Sequence, residues 1–348
     1  MPRDPGYAAK RLIDNGEDVN ANDPDHGTAL CIATEKGHDE IFDVLLKNGA
    51  DVNVTNKSKG TVLTLATTYG RQDLVDKLLQ GGANVYGYAT HIPLVRAASS
   101  DFRGIVSMLL DKGANINARD GYGDIAVVAA IIRGHEEIVK LLVNKGADIN
   151  ARDGHGHTAV IAAIIHGHEE IIKLLVNKAA DMQIDIKGRA LLDAIRHTQK
   201  GIVQMLLDMG ADANPSTGNI HPLIAAVKSG RTDIVKLLLE KGADINAQGA
   251  YNPGEYDEAD DYGFNDLDIT ALMAAVDGGH GAIVKILIKK GADLNIASKR
   301  YSNQRPMIPL QLALEIGSKS IIKMLREARD EEPIPKPVEE TSGRRYLG

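Results

Sequence analysis

Short apolar blocks alternate with short polar ones along most of this chain, and the alternation keeps a fixed internal order. Residues 119–150 show it in full. Asp120-Gly121-Tyr122-Gly123-Asp124 has the chemistry of a turn, with glycines free to take positive φ. Ile125 to Ile132 is wholly apolar, with alanines at 126, 129 and 130. It is too short to stand alone as a helix, but its small residues let it lie close to a partner helix. Gly134 stops it. Glu136 to Val143 reads as a second helix, with acids at its positive N-terminal end and Glu136 placed to pair with Lys140. Gly146 supplies a left-handed C-terminal cap, and Ala147-Asp148-Ile149-Asn150 leads extended into the next turn.

The closing phrase of that block recurs. Gly-Ala-Asp-(Val/Ile)-Asn is complete at Gly49, Gly146 and Gly242, near-complete at Gly113 and Gly291, and weaker at Gly16, Gly82, Ala179 and Gly210. Successive anchors lie 33, 33, 31, 33, 33, 31, 32 and 49 residues apart. A period near 33 means one small unit is stacked many times. The 348 residues would otherwise suggest several compact domains. A stack buries its core between neighbours and escapes that size limit.

The unit resembles the ankyrin repeat, over about residues 5–328. Equivalents of that family's Thr-Pro-Leu-His-x-Ala opening start at Thr28, Thr61, Ile92, Ile125, Thr158, Arg189, His221, Thr270 and Ile308. Pro93, Pro222 and Pro309 keep the favoured first-turn proline. Gly-His pairs at 37–38, 134–135, 167–168 and 279–280 follow in phase. The resemblance implies an all-α repeat solenoid: a half repeat over 1–20, nine repeats over 21–328, and a disordered, proline-containing tail over 329–348. The family histidine that ties hairpin to helix is replaced throughout, by Cys31, Thr64, Val95, Val128, Ile161, Leu192, Ile224, Met273 and Gln311. That implies more apolar packing and less hydrogen-bonded rigidity. Ala179 replaces the capping glycine, a cost of about 1 kcal/mol if that position is left-handed. Repeat six has Asp193 in its first helix and Thr198 in place of the loop glycine, so local stability is expected to be weakest there.

Two long fingers break the rhythm, at 249–268 and 297–307. The first holds seven acids and no Lys or Arg, together with Tyr251, Tyr256, Tyr262 and Phe264; the second carries Lys299, Arg300, Tyr301 and Arg305. Neighbouring units in a stack lie about 10 Å apart, so the fingers either pair with each other or form a raised edge for a partner, or both. Tyr86, Tyr88 and Tyr122 also fall in turns, as seven of the ten tyrosines do. Aromatics spent on loops suggest a binding surface. Residues 116–148 and 149–181 match at 26 of 33 positions, and Tyr122/His155, Asp124/His157 and Arg133/His166 are among the differences. Recognition residues vary there while the scaffold stays fixed.

Composition sets bounds on chemistry. A net charge of −7 argues against a nucleic-acid binder. Cys31 is the only cysteine, so no intrachain disulfide forms and a reducing compartment, cytoplasmic or nuclear, fits best. The longest apolar stretch is 8 residues, far below the roughly 20 that span a bilayer. His155, His157, His166 and His168 are too spread along the unit to share one zinc ion, and a calcium-loop reading of 257–268 fails at Ala259 and Tyr262. No phosphate loop and no nucleophile–base set is identifiable.

These readings point to a non-catalytic, cofactor-free, monomeric scaffold or adaptor. Its concave surface and finger tips would bind other proteins, with Tyr86, Tyr88, Tyr122, His155 and the finger residues as contacts. The alternative is a regulatory subunit that masks or positions one enzyme or transcription factor. The family resemblance adds asparaginyl hydroxylation at Asn20, Asn53, Asn150 and Asn246, set against a purely hairpin-stabilising role.

Overall fold

Buried apolar stripes and glycine stops convert this pattern into paired helices in a computed structural model. It describes residues 5–23, 26–56, 60–87, 91–181, 186–215, 221–249, 269–297 and 306–331. The chain forms two units, Met1–Ile186 and Lys187–Gly348.

The first unit opens with a lone helix, α1 (Pro5–Asp14), that packs on the second helix of the pair α2 (Ala29–Lys36) and α3 (Asp39–Lys47). Four more pairs follow: α4 (Val62–Thr68) with α5 (Gln72–Gln80), α6 (Pro93–Ser99) with α7 (Arg103–Asp111), α8 (Ala126–Ile132) with α9 (Glu136–Asn144), and α10 (Ala159–Ile165) with α11 (Glu169–Asp181). First helices stack on first helices, while α5, α7, α9 and α11 stack in a second row. The first helices are core almost all round; Ala126 to Ile131 are all buried. Second helices bury one stripe, Ile138, Val139, Leu142 and Val143 in α9, and Lys140 pairs with Glu136 at 2.6 Å on the outer face. Each fully buried Leu or Ile stabilises the stack by about 1.5–3 kcal/mol.

The second unit repeats the scheme with α12 (Lys187–Arg196) and α13 (Lys200–Asp208), α14 (Pro222–Lys228) and α15 (Thr232–Glu240), α16 (Ala271–Asp277) and α17 (Gly281–Lys289), and α18 (Pro309–Ile316) and α19 (Lys319–Glu331). Each unit is thus an all-α repeat solenoid. Among the described residues, sheet structure is confined to antiparallel hairpin bases: β1 (Asn22–Asp23) with β2 (Gly27–Thr28), β3 (Thr55–Asn56) with β4 (Gly60–Thr61), and β5 (Gln248–Gly249) with β6 (Ile269–Thr270). The last ladder pairs Gln248 with Thr270, so the acidic insertion leaves and re-enters the stack through an ordinary hairpin base. Residues 250–268 and 298–305 lie outside the described residues, as does 332–348; α19 carries the helix on through Glu331.

Three local results bear on the sequence reading. Ala179 is not left-handed: α11 runs 13 residues where α9 runs 9, and Ala179 lies buried inside it. Without glycine, the chain avoids the left-handed cost by prolonging the helix. Thr198 does adopt the glycine conformation, at φ +56°, as Asp101 does at φ +62°. For a β-branched residue this stores about 1–2 kcal/mol of strain. At Thr64 a hydroxyl takes over the lost hairpin tie, with Oγ1 donating to the His91 carbonyl of the next pair at 3.4 Å.

Candidate protein-binding surface

The repeated phrase is a set of backbone devices. Gly146 takes φ +93°, its N–H donates to Val143 O at 3.2 Å, and Ala147 N–H donates to Leu142 O at 3.0 Å. These crossed bonds satisfy carbonyls at the end of α9. Asp148 Oδ1 then accepts from Asn150 N–H at 2.9 Å and turns the chain. The fifth residue reaches across to the neighbouring hairpin. Asn117 Oδ1 accepts from Asp148 N–H at 2.9 Å, and Asn20, Asn53, Asn214 and Asn246 hold Asp51, Asn84, Asp244 and Asp293 in the same way. Asn20, Asn53 and Asn214 also donate Nδ2 to the next glycine carbonyl.

Of the four asparagines singled out for hydroxylation, Asn20, Asn53 and Asn246 therefore clamp a neighbour. Among the described residues Asn150 has no such bond, because Asp181, its counterpart, is drawn into α11.

One other position in the first unit departs from the clamp. Tyr86 occupies the fifth place of the phrase that begins at Gly82, so the hairpins of the third and fourth pairs are not tied at this point. Between those pairs a groove of about 200 Å³ opens. Ile92, Val95, Ala129 and Ile132 give it an apolar floor, and Arg96 and Arg133 stand on its helical side. Asp120 and Asp124 form the turn wall beside Tyr122, which is 79% exposed. The acids meet backbone N–H groups of the hairpin turns. Asp120 Oδ1 accepts from Tyr122 N–H at 2.9 Å and Asp124 N–H at 3.0 Å, and Asp124 accepts from Gly154 N–H. Burial, helped by Asp120 and Asp153, holds the Asp124 carboxyl above its ordinary pKa. Its Oδ1 is buried without a hydrogen bond.

The next seam, between the fourth and fifth pairs, is closed. Asn117 clamps it, Arg119 Nη1 donates to the carbonyls of Gly123 and Arg152, and Gly123 lies so near Gly154 that a Cβ would meet its Cα at 2.8 Å. The Gly-His phrase serves the inner loops in the same way: the His168 ring lies over Gly134, where a Cβ would meet Cε1 at 2.8 Å.

Of the proposed contact residues, the structure places Tyr122 on the groove and Tyr86, 61% exposed, in the turn that precedes α6. His155 is exposed at the tip of the fifth hairpin, its ring 6.0 Å from that of His157. Tyr88, Tyr251, Tyr256, Tyr262, Phe264, Lys299, Arg300, Tyr301 and Arg305 lie outside the described residues. His166 and His168 stack as a second pair at 6.2 Å, and among the described residues no three His, Cys, Asp or Glu side chains are set to hold a metal ion. No described helix is long and apolar enough to cross a membrane. In the second unit, burial between helices lowers Lys228 to about 8 against the opposing pull of Asp277.

Arg96 is the groove residue that sequence reasoning missed. A signal for it exists, since four other units place alanine there: Ala129, Ala162, Ala225 and Ala274.

Comparison with individual curated proteins gives no significant match. Comparison with protein families does. A model described as "Ankyrin repeats (3 copies)" matches residues 4–88, 86–153, 128–217 and 185–249, and one described as "Ankyrin repeat" matches 268–299. These matches cover well over half of the chain and coincide with the helix pairs, clamps and glycine turns described above. The chain belongs to the ankyrin-repeat family.

Proposed function

We propose that this chain is an intracellular scaffold or adaptor, located in the cytoplasm or nucleus, that holds partner proteins on its hairpin and first-helix surface. All nine helix pairs act as repeats of one kind, and the third and fourth form the principal contact. The observation that carries this reading is the groove between them, with an apolar floor, two arginines that are unpaired among the described residues, and an exposed tyrosine at its rim. A Tyr that is 79% exposed contributes little to folding but offers large, rigid contact area at low entropic cost. Ankyrin-repeat folds serve widely as protein-interaction modules, which agrees with this use of the surface.

Affinity purification from native cells with the wild-type chain and with Tyr122→Ala tests the reading. The proteins recovered in stoichiometric amount should be lost from the variant. An unchanged set, with the variant shown to fold normally, would sink the assignment of this groove. Deleting residues 251–265 tests the acidic finger separately, since a finger contact predicts loss of partners that the Tyr122 variant keeps.

A further inference from the structure

We infer that the groove selects a partner segment bearing one acidic side chain next to an apolar one; this rests on the groove being a protein-binding site. Arg96 projects from α6 and Arg133 caps α8, and both line the same groove. Among the described residues neither guanidinium has a hydrogen bond or an ion pair. Three nearby or comparable arginines are engaged instead: Arg103 faces Glu137, Arg119 binds two carbonyls, and Arg231 pairs with Asp233. A guanidinium offers a planar fork of donors that matches a carboxylate. Two such forks, left unpaired on adjacent helices of a chain with net charge −7, form a localised site for an anion.

The opposite wall sets the polarity. Asp120 and Asp124 share the groove without pairing with either arginine among the described residues: Asp120 Oδ1 accepts from the N–H groups of Tyr122 and Asp124, and Asp124 accepts from Gly154 N–H of the next hairpin. An acid on the partner is therefore attracted to the helical side and repelled from the turn side. An extended polyanion such as RNA would have to run along both, so the arrangement favours a peptide with a single carboxylate. The apolar neighbour of that carboxylate rests on Val95 and Ile132, beneath Tyr122.

The test is selection from a displayed library of random dodecapeptides on the full chain, in parallel with an Arg96→Gln/Arg133→Gln variant. Arg96 and Arg133 are both exposed, and retention of the helical circular dichroism spectrum checks that the variant folds. Peptides retained by the wild type should be enriched in Asp or Glu beside Leu, Ile or Val. Their affinity should fall about 10-fold or more on the variant and return in Arg96→Lys/Arg133→Lys, as expected for loss and partial recovery of charge-assisted hydrogen bonds. Equal acid content in the two selected pools overturns the inference but leaves the groove as a binding site. So does selection of basic peptides, or tighter binding of a single-stranded RNA probe than of any peptide. Failure of the wild type to enrich any peptide overturns both readings.

Discussion

Two neighbouring seams in the first unit are built from nearly the same parts and end differently. Between the fourth and fifth helix pairs, Asn117 ties one hairpin to the next, Arg119 reaches the Arg152 carbonyl, and two glycine backbones lie in contact. Between the third and fourth pairs, Tyr86 replaces the clamping asparagine, and a groove lined by Arg96 and Arg133 lies open. The helices stack at both seams, so the core does not decide which opens. The choice is made in the hairpins, by which residue follows Gly-Ala-Asn-Val or Gly-Ala-Asn-Ile. A repeat protein can thus leave a joint open as a groove through one residue of its hairpin, at the cost of one hydrogen-bonded tie.

The strongest way to break the closed seam is Gly123→Ala. The position has φ +83°, which costs an L-residue about 1–2 kcal/mol, and the new methyl would press on the Gly154 backbone at 2.8 Å. We expect a loss of about 2–3 kcal/mol in urea denaturation, with overpacking adding to backbone strain. A loss below about 1 kcal/mol would mean that the hairpins separate freely and the seam is not tight. Asn117→Ala should cost less, about 1 kcal/mol, for one exchanged hydrogen bond. Asn150→Ala is its control and should change stability by less than about 0.5 kcal/mol, because its side chain holds no neighbour among the described residues. Equal effects would remove the clamp from the account.

The converse change sharpens the comparison from the open side. Tyr86→Asn supplies the missing amide opposite Asn115 N–H, and should raise stability by about 0.5–1 kcal/mol. It should also narrow the groove, so peptides selected on the wild type bind the variant more weakly. Tighter binding, measured by fluorescence anisotropy, would show that the clamp and the groove are unrelated.

Much of this fold is legible in the amino-acid sequence. The period, the glycine caps and the amphipathic second helices follow from local chemistry that each unit repeats, and repetition makes weak signals add. What a single unit cannot show is what lies across the seam. The reach of Asn117 to Asp148 spans 31 residues, and the contact of His168 with Gly134 spans a whole repeat. Ala179 shows the other difficulty. Read alone, it suggests a strained cap; in the fold, the helix simply continues and the turn is lost with its clamp. The groove is half legible. Tyr122 is visible as an aromatic in a turn, but Arg96 carries meaning only against the alanines that fill its position elsewhere.

The smallest expected effect concerns the charge on the groove wall. Asp124 has its pKa raised first by burial, then by Asp120 and Asp153, so the folded state binds its proton more tightly than the unfolded chain does. Where both states are ionised, at neutral pH, the wild type carries the full penalty; protonation relieves it as the pH falls through the raised pKa into the ordinary carboxylate range. Asp124→Asn removes that charge and keeps an oxygen for the Gly154 N–H. We expect a gain of about 0.5 kcal/mol at neutral pH, fading as the solution is acidified. Stability curves for the two proteins that run parallel across that range would mean that the acids on this wall are solvated. An acidic peptide would then meet no barrier on the turn side, and the polarity assigned to the groove would be lost.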